Sequence, residues 1–309
     1  MINENPLHTY CIFCRNHETK VGKLTDEHAI PYAMGGQLIL RNSTCEECRA
    51  TTSKFETKFI KGPFNAFRFA AGLQSRSGKI PKTLPIFAVN GIEQDRMEIA
   101  SDLYPAMLTL PRFNGAAMLD NGRINALPTK PWCAVEWGRS EVLLAQFDLA
   151  SFASISTNVY DFSRLIAKIA HCWTICEMGK TFAPTLCSII TEERGDNFRK
   201  YIRSRDNPSP AEFGRAFTHT FQLSEVQIGA FTFLVGHLTL FSNLGAPTYD
   251  VVVGQKGGGY LRYPELDAED IVLLPEHRIE SYRFDMSRPD AEARNDIGPL
   301  PVDVVLNRR

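Results

Sequence analysis

The chain is short of most features that would mark a protein from a distance. Its 309 residues carry 34 Lys or Arg against 35 Asp or Glu, a formal net charge of −1, so no overall field draws the whole molecule onto a polyanion or a charged surface. No run of eighteen apolar residues occurs, which excludes an ordinary membrane-spanning helix. The opening Met-Ile-Asn-Glu-Asn lacks the charged-then-apolar order of a secretory signal. A soluble, intracellular and cytoplasmic protein with no membrane partner is therefore expected. Eight cysteines are too few at this length for a disulfide scaffold, and neither an internal repeat nor a low-complexity tract is visible. What remains is an ordinary globular composition, 44% hydrophobic and 22% charged, able to bury a core in one large or two smaller domains.

Charge and cysteine are unevenly spread, however. Met1 to Lys82 holds twelve Lys or Arg against seven Asp or Glu, so this quarter is basic inside a chain that is nearly neutral overall. Half of the cysteines fall in the first seventy residues as two CxxC pairs, Cys11–Cys14 and Cys45–Cys48, with thirty residues between Cys14 and Cys45. Two residues between thiolates let the chain turn so that both sulfurs reach one ion, and two such turns complete the tetrahedral shell of a structural zinc. That shell is closed to water, so this zinc is expected to hold the fold and the chemistry must lie elsewhere.

Between the pairs stands "LTDEHAIPYAMGG". A carboxylate beside a histidine at a strand end can present a hard oxygen ligand and a general base side by side. Pro31 restrains the exit, and Gly35-Gly36 permits a tight reversal. "QLILRN" reads as the returning strand, and "EECRATTSKFETKF" as a helix opening from the second pair. On that helix Arg49, Ser53 and Glu56 share one face by spacing.

This order of knuckle, strand, turn, strand, knuckle and helix resembles the HNH endonucleases, and most closely their zinc-bound subgroup with two CxxC pairs around an "EH..P...GG" core and an Asn shortly before the second pair. The resemblance covers Cys11 to Glu56. It implies a ββα-metal fold in which His28 is the general base that activates water against a phosphodiester. It also implies Glu27 as ligand of a catalytic Mg²⁺ or Mn²⁺, with Asp26 as the alternative, and Asn42 as the brace that orients the histidine. The family's usual Asn or His after the last cysteine is Arg49 here, and a guanidinium has no lone pair to give a cation. Glu56 or Ser53 then becomes the stand-in ligand from the helix, a surface ion pair with a lysine being the alternative for Glu56, and Arg49 a group to hold phosphate. Lys23, Arg41, Lys54 and Lys58 are candidates for contacts to a nucleic-acid backbone, which anchor without reading sequence. His17 reads as a solvated loop residue.

The rest of the chain carries no such motif. "LPIFAVNGI", "AMLTLPRF", "WCAVEWG" and "SEVLLAQFDL" read as strands, "VYDFSRLIAKIAHCWTICEMGK" as a helix burying Phe162, Leu165, Ile166, Ile169, Trp173 and Cys176 with Arg164, Lys168 and Glu177 off that face. "GDNFRKYIRSR" reads as a second helix, "HTFQLSEVQIGAFTFLVGHLTLFSNLG" as two or three strands, and the tail as extended. Cys133, Cys172, Cys176 and Cys187 are expected in the core; His219, His237 and His277 have no ligand pattern around them. The expected class is α+β: a small zinc-stabilised ββα-metal (HNH) domain over residues 1–75, joined through "AAGLQSRSGKIPKTLP" to a larger mixed α/β domain of unread topology over 76–309 that recognises substrate or partner. The function expected is a metal-dependent endonuclease acting on nucleic acid, DNA foremost. The alternative is a zinc-stabilised nucleic-acid-binding module whose catalysis Arg49 has impaired.

Overall fold

The computed structural model describes residues 9–70, 73, 81–90, 93–113, 115–120, 131–147, 152–153, 157–179, 181–192, 198–207, 217–257, 271–272, 281–286 and 297–300. The N-terminal part runs α1 (Glu18–Val21), β1 (Thr25–His28), a 3-10 turn (Tyr32–Met34), β2 (Ile39–Thr44), α2 (Glu46–Lys61) and α3 (Pro63–Ala70). β1 and β2 pair antiparallel, so the expected hairpin and helix both form. The two glycines of its turn do different jobs. Gly35 takes φ +92°, the left-handed region open to glycine; a Cβ on Gly36 would lie 1.9 Å from the Ile30 carbonyl oxygen.

Next come β3 (Thr83–Asn90), β4 (Glu93–Ala100), β5 (Met107–Leu110), β6 (Trp132–Glu136), α4 (Trp137–Gln146), β7 (Phe152–Ala153), α5 (Val159–Met178), β8 (Phe182–Pro184), α6 (Cys187–Thr191), α7 (Phe198–Tyr201), β9 (Ile202–Arg205), β10 (Phe217–Ile228), β11 (Phe231–Thr239), β12 (Thr248–Lys256), β13 (271–272), β14 (Ser281–Met286) and β15 (Ile297–Leu300). The main sheet has the order β13-β10-β11-β12-β8, with β14 also on β10 and β9 also on β12, all antiparallel. Two three-stranded sheets, β4-β3-β7 and β15-β6-β5, stand apart from it.

Several expectations are corrected here. "SEVLLAQFDL" is largely helix, because Ser140, Leu143 and Leu144 bury at helical spacing while Val142 between them is 57% exposed. Among the described residues of "GDNFRKYIRSR", one helical turn, Phe198–Tyr201, precedes β9. Most of the expected junction, and His277, lie outside the described residues. α5 forms as expected, with Asn158 capping the N–H groups of Tyr160 and Asp161. It is not one-sided, however. Every residue from Phe162 to Ile175 is buried, Arg164 and Lys168 included, because α2, α6 and the main sheet enclose it.

The core also crosses the expected boundary at residue 75. Ile12, Phe13, Phe55 and Phe59 belong to one hydrophobic cluster with Phe162, Leu165, Ile169 and Trp173 of α5 and with Phe221, Leu234 and Val251 of the sheet. Phe59 and Phe162 rings are 5.4 Å apart, Trp173 stacks on Phe221 at 5.1 Å, and the Arg164 guanidinium lies 4.8 Å over Phe55. No helix among the described residues is long and apolar enough to cross a membrane.

Two buried histidines tie the N-terminal part to the rest. His171 donates to the Ile12 carbonyl at 2.8 Å. His219 accepts the Phe241 N–H on Nδ1 at 3.2 Å and donates from Nε2 to the Met34 carbonyl at 3.0 Å. A second proton on Nδ1 would face that N–H, so His219 fits only as the neutral ring. Burial holds both histidines down, to about 4. Below about pH 6.5 the unfolded chain takes up protons that the folded chain refuses, so stability is full above that pH and falls as pH drops toward 4. We expect about 2 kcal/mol of loss per histidine between pH 7 and pH 5 in denaturant titrations. In His219→Gln, whose amide can accept on one side and donate on the other, about 2 kcal/mol of that loss should vanish; an unchanged acid limb would refute the assignment.

Candidate functional site

The four cysteines meet as their spacing predicts. Their sulfurs all lie within 4.8 Å of one another, with Cys14 and Cys45 at 3.9 Å, close to the edge of about 3.8 Å that a tetrahedron of zinc–sulfur bonds requires. The first knuckle closes when the Arg15 N–H donates to the Cys11 carbonyl at 2.9 Å, with Arg15 at φ +59°. The second is held to it by the Cys45 N–H on Cys11 Sγ at 3.4 Å. Cys14, accepting hydrogen bonds from the Cys11 and Cys48 thiols, is held low, while Cys14 in turn pushes Cys11 up to about 12. Sulfurs packed this way share negative charge only around a cation, and the donor set suits zinc.

This clamp fixes where β1 ends and α2 begins, and between them opens a cleft of about 300 Å³ lined by Asp26, Glu27, His28, Arg49, Ser53 and Glu56, among others. Asn42 is not among its walls. It sits at φ +46° in a bulge of β2, where Asp26 stands across from Arg41 to Ser43. Its N–H donates to Asp26 Oδ1 at 3.0 Å, and Arg41 pairs with the other oxygen. These two contacts outweigh partial burial and hold the Asp26 carboxyl below its ordinary range. Asp26 thus braces the hairpin with Asn42 and Arg41. His28 points at the cleft with the exposed Tyr32 ring 6.3 Å away, edge-on, at its mouth.

Arg49 begins one wall. Glu46, one turn earlier, holds its guanidinium in a fork at 2.6 and 2.9 Å on the exposed helix end. Of the proposed backbone contacts, Lys23 and Lys54 are exposed. Arg41 pairs with Asp26 and Lys58 with Asp161 of α5 at 3.3 Å.

Behind the cleft, beyond Glu27 and Glu56, lies a residue that the motif did not include. Lys168 of α5, fully buried, places its ammonium 2.8 Å from Glu27 Oε1 and 2.8 Å from Glu56 Oε1, and donates to the backbone carbonyls of His28 and Ala29. Burial opposes its charge, but the two carboxylates prevail and hold it protonated. Burial raises the Glu56 carboxyl above its ordinary value, with Lys168 offsetting part of the rise. The ion pair open to Glu56 is therefore a buried one with another helix, and Lys168 is corrected from an outward residue to a fully buried one paired with two cleft carboxylates. Removing one partner of such a pair typically costs about 3–5 kcal/mol.

The expected catalytic cation does not fit this arrangement. Glu27 and Glu56 are taken up by Lys168 and Asp26 by the hairpin. No second group of three or more His, Cys, Asp or Glu ligand atoms gathers among the described residues.

A further polar row lies on the main sheet. Ser224 Oγ is 2.7 Å from His237 Nε2, and His237 Nδ1 is 2.7 Å from Asp250 Oδ1. Ser224 is only 3% exposed on a central strand, and Asp250 also binds Arg203 and Arg205 at 3.1 Å. The row ties four strands together and gives a nucleophile no approach.

A zinc-type clamp under a two-stranded hairpin and helix, with a histidine at the end of the first strand, defines the ββα-metal class. Residues 11–63 match the family model described as HNH endonuclease, so this segment is an HNH endonuclease domain. No curated protein and no solved structure matches the chain at a significant level.

In Cys45→Ser, metal analysis should show the loss of one zinc per chain. Coupled unfolding should cost on the order of 10 kcal/mol, reaching α5 because Ile12 and Phe13 share its core. Zinc content equal to wild type would remove the four-thiolate site.

Proposed function

We propose that the chain is an endonuclease that hydrolyses phosphodiester bonds in nucleic acid, with His28 as the general base and DNA as the first substrate to test. The observation that supports it is His28 at the end of β1, lining the same cleft as Arg49 on a clamped ββα frame within the family-matched segment. A neutral imidazole takes the proton of the attacking water. Arg49, leaving its fork with Glu46, meets the phosphate oxygens and offsets the charge that grows on them. Tyr32 at the mouth offers a ring for a base or sugar, and Lys23 and Lys54 add backbone contacts. Mg²⁺ or Mn²⁺ is the cation such domains use. Glu27 and Glu56 do not fit it here, because Lys168 already stands between them.

A second reading, retention of nucleic acid without cutting, draws on the same two cations, Arg49 at the usual ligand position and Lys168 between the carboxylates. Plasmid incubation with Mg²⁺ or Mn²⁺ separates the two. Cutting is expected in wild type, with His28→Ala reducing it by about 100-fold or more while zinc and fold stay intact. Cutting that survives His28→Ala would remove the base, and retention without any cutting would leave the second reading. Arg49→Ala should lower cutting by about tenfold through weaker phosphate binding; a rise would mean that the guanidinium obstructs the site.

A further inference from the structure

α5 lies outside the family-matched segment, yet it supplies the cation of the site. The ammonium of Lys168 stands between a carboxylate of β1 and a carboxylate of α2, 2.8 Å from each, and two backbone carbonyls of the β1 exit complete its surroundings. A divalent ion bridging Glu27 and Glu56 would need the same position. Four acceptors already surround an ammonium with three N–H donors.

We propose that Lys168 is the resident cation of the Glu27–Glu56 pair and a positioning residue of the nuclease site, so that this pair takes no Mg²⁺ or Mn²⁺ in the folded protein. Through the His28 carbonyl the same ammonium tethers the residue that carries the imidazole, and the seating of α5 sets where that ring points. The role given to His28 rests on the endonuclease reading. The charge assignment does not, and it is tested without nucleic acid.

The test is a Mn²⁺ titration of the zinc-loaded full chain, followed by the electron paramagnetic resonance of free Mn²⁺. Wild type and Glu56→Gln should titrate alike. Lys168→Gln, which leaves the two carboxylates facing each other, should gain one Mn²⁺ per chain at least about tenfold tighter than any wild-type binding, and Lys168→Gln combined with Glu56→Gln should lose it. Wild-type protein that binds one Mn²⁺ lost in Glu27→Gln or Glu56→Gln would overturn the proposal. So would a folded Lys168→Gln that gains none. If Lys168→Gln does not fold, the comparison of wild type with Glu56→Gln decides alone.

Discussion

Four sulfurs within 4.8 Å of one another are the constraint from which the rest of the N-terminal architecture follows. A segment of this size cannot hold a hairpin against a helix by its own burial alone. The clamp joins the loop before α1 to the start of α2, and the Ile12 N–H adds a bond to the Ser43 carbonyl at 2.8 Å. With both ends fixed, the end of β1 and the first turns of α2 have one relative position, and His28 and Arg49 come to share a cleft.

The second constraint comes from below. α5 is a central helix with no water-facing side along most of its length, and it carries a lysine at the one height where two carboxylates of the N-terminal part converge. A buried ammonium survives only if nearby negative charge outweighs the loss of water. Glu27 and Glu56 supply that charge, and the His28 carbonyl supplies a donor's partner. The cleft is lined by residues between Asp26 and Ile60, and the remainder of the chain stands behind two of its carboxylates.

The walls were legible in the sequence because each element has a local cause. CxxC spacing, Pro31, the paired glycines and the i, i+4, i+7 series from Arg49 to Glu56 are all short-range signals, and they place every expected cleft residue but Asn42. Asn42 acts through its left-handed backbone and its N–H, which residue type suggests only weakly. The ammonium behind them could not be read in the same way. Lys168 sits off the apolar stripe of α5, so periodicity turned it outward, and its partners lie more than 100 residues earlier. Nothing local says that a helix will be enclosed on all sides. "SEVLLAQFDL" failed for the opposite reason: its branched and apolar residues suit a strand, but Leu143 and Leu144 had a core to meet only as a helix.

The continuity of the core across residue 75 bears on how such a domain can move between proteins. An N-terminal piece taken alone would turn Phe55, Phe59 and Phe64, the last packed 5.5 Å from the Phe241 ring, toward water and leave Glu27 and Glu56 facing each other with no positive charge between them. Recombination or fusion at that point would transplant a hairpin and a metal clamp but leave behind the counter-charge of the two carboxylates. In this chain the portable unit of inheritance is therefore larger than the motif, and it must carry α5 with it.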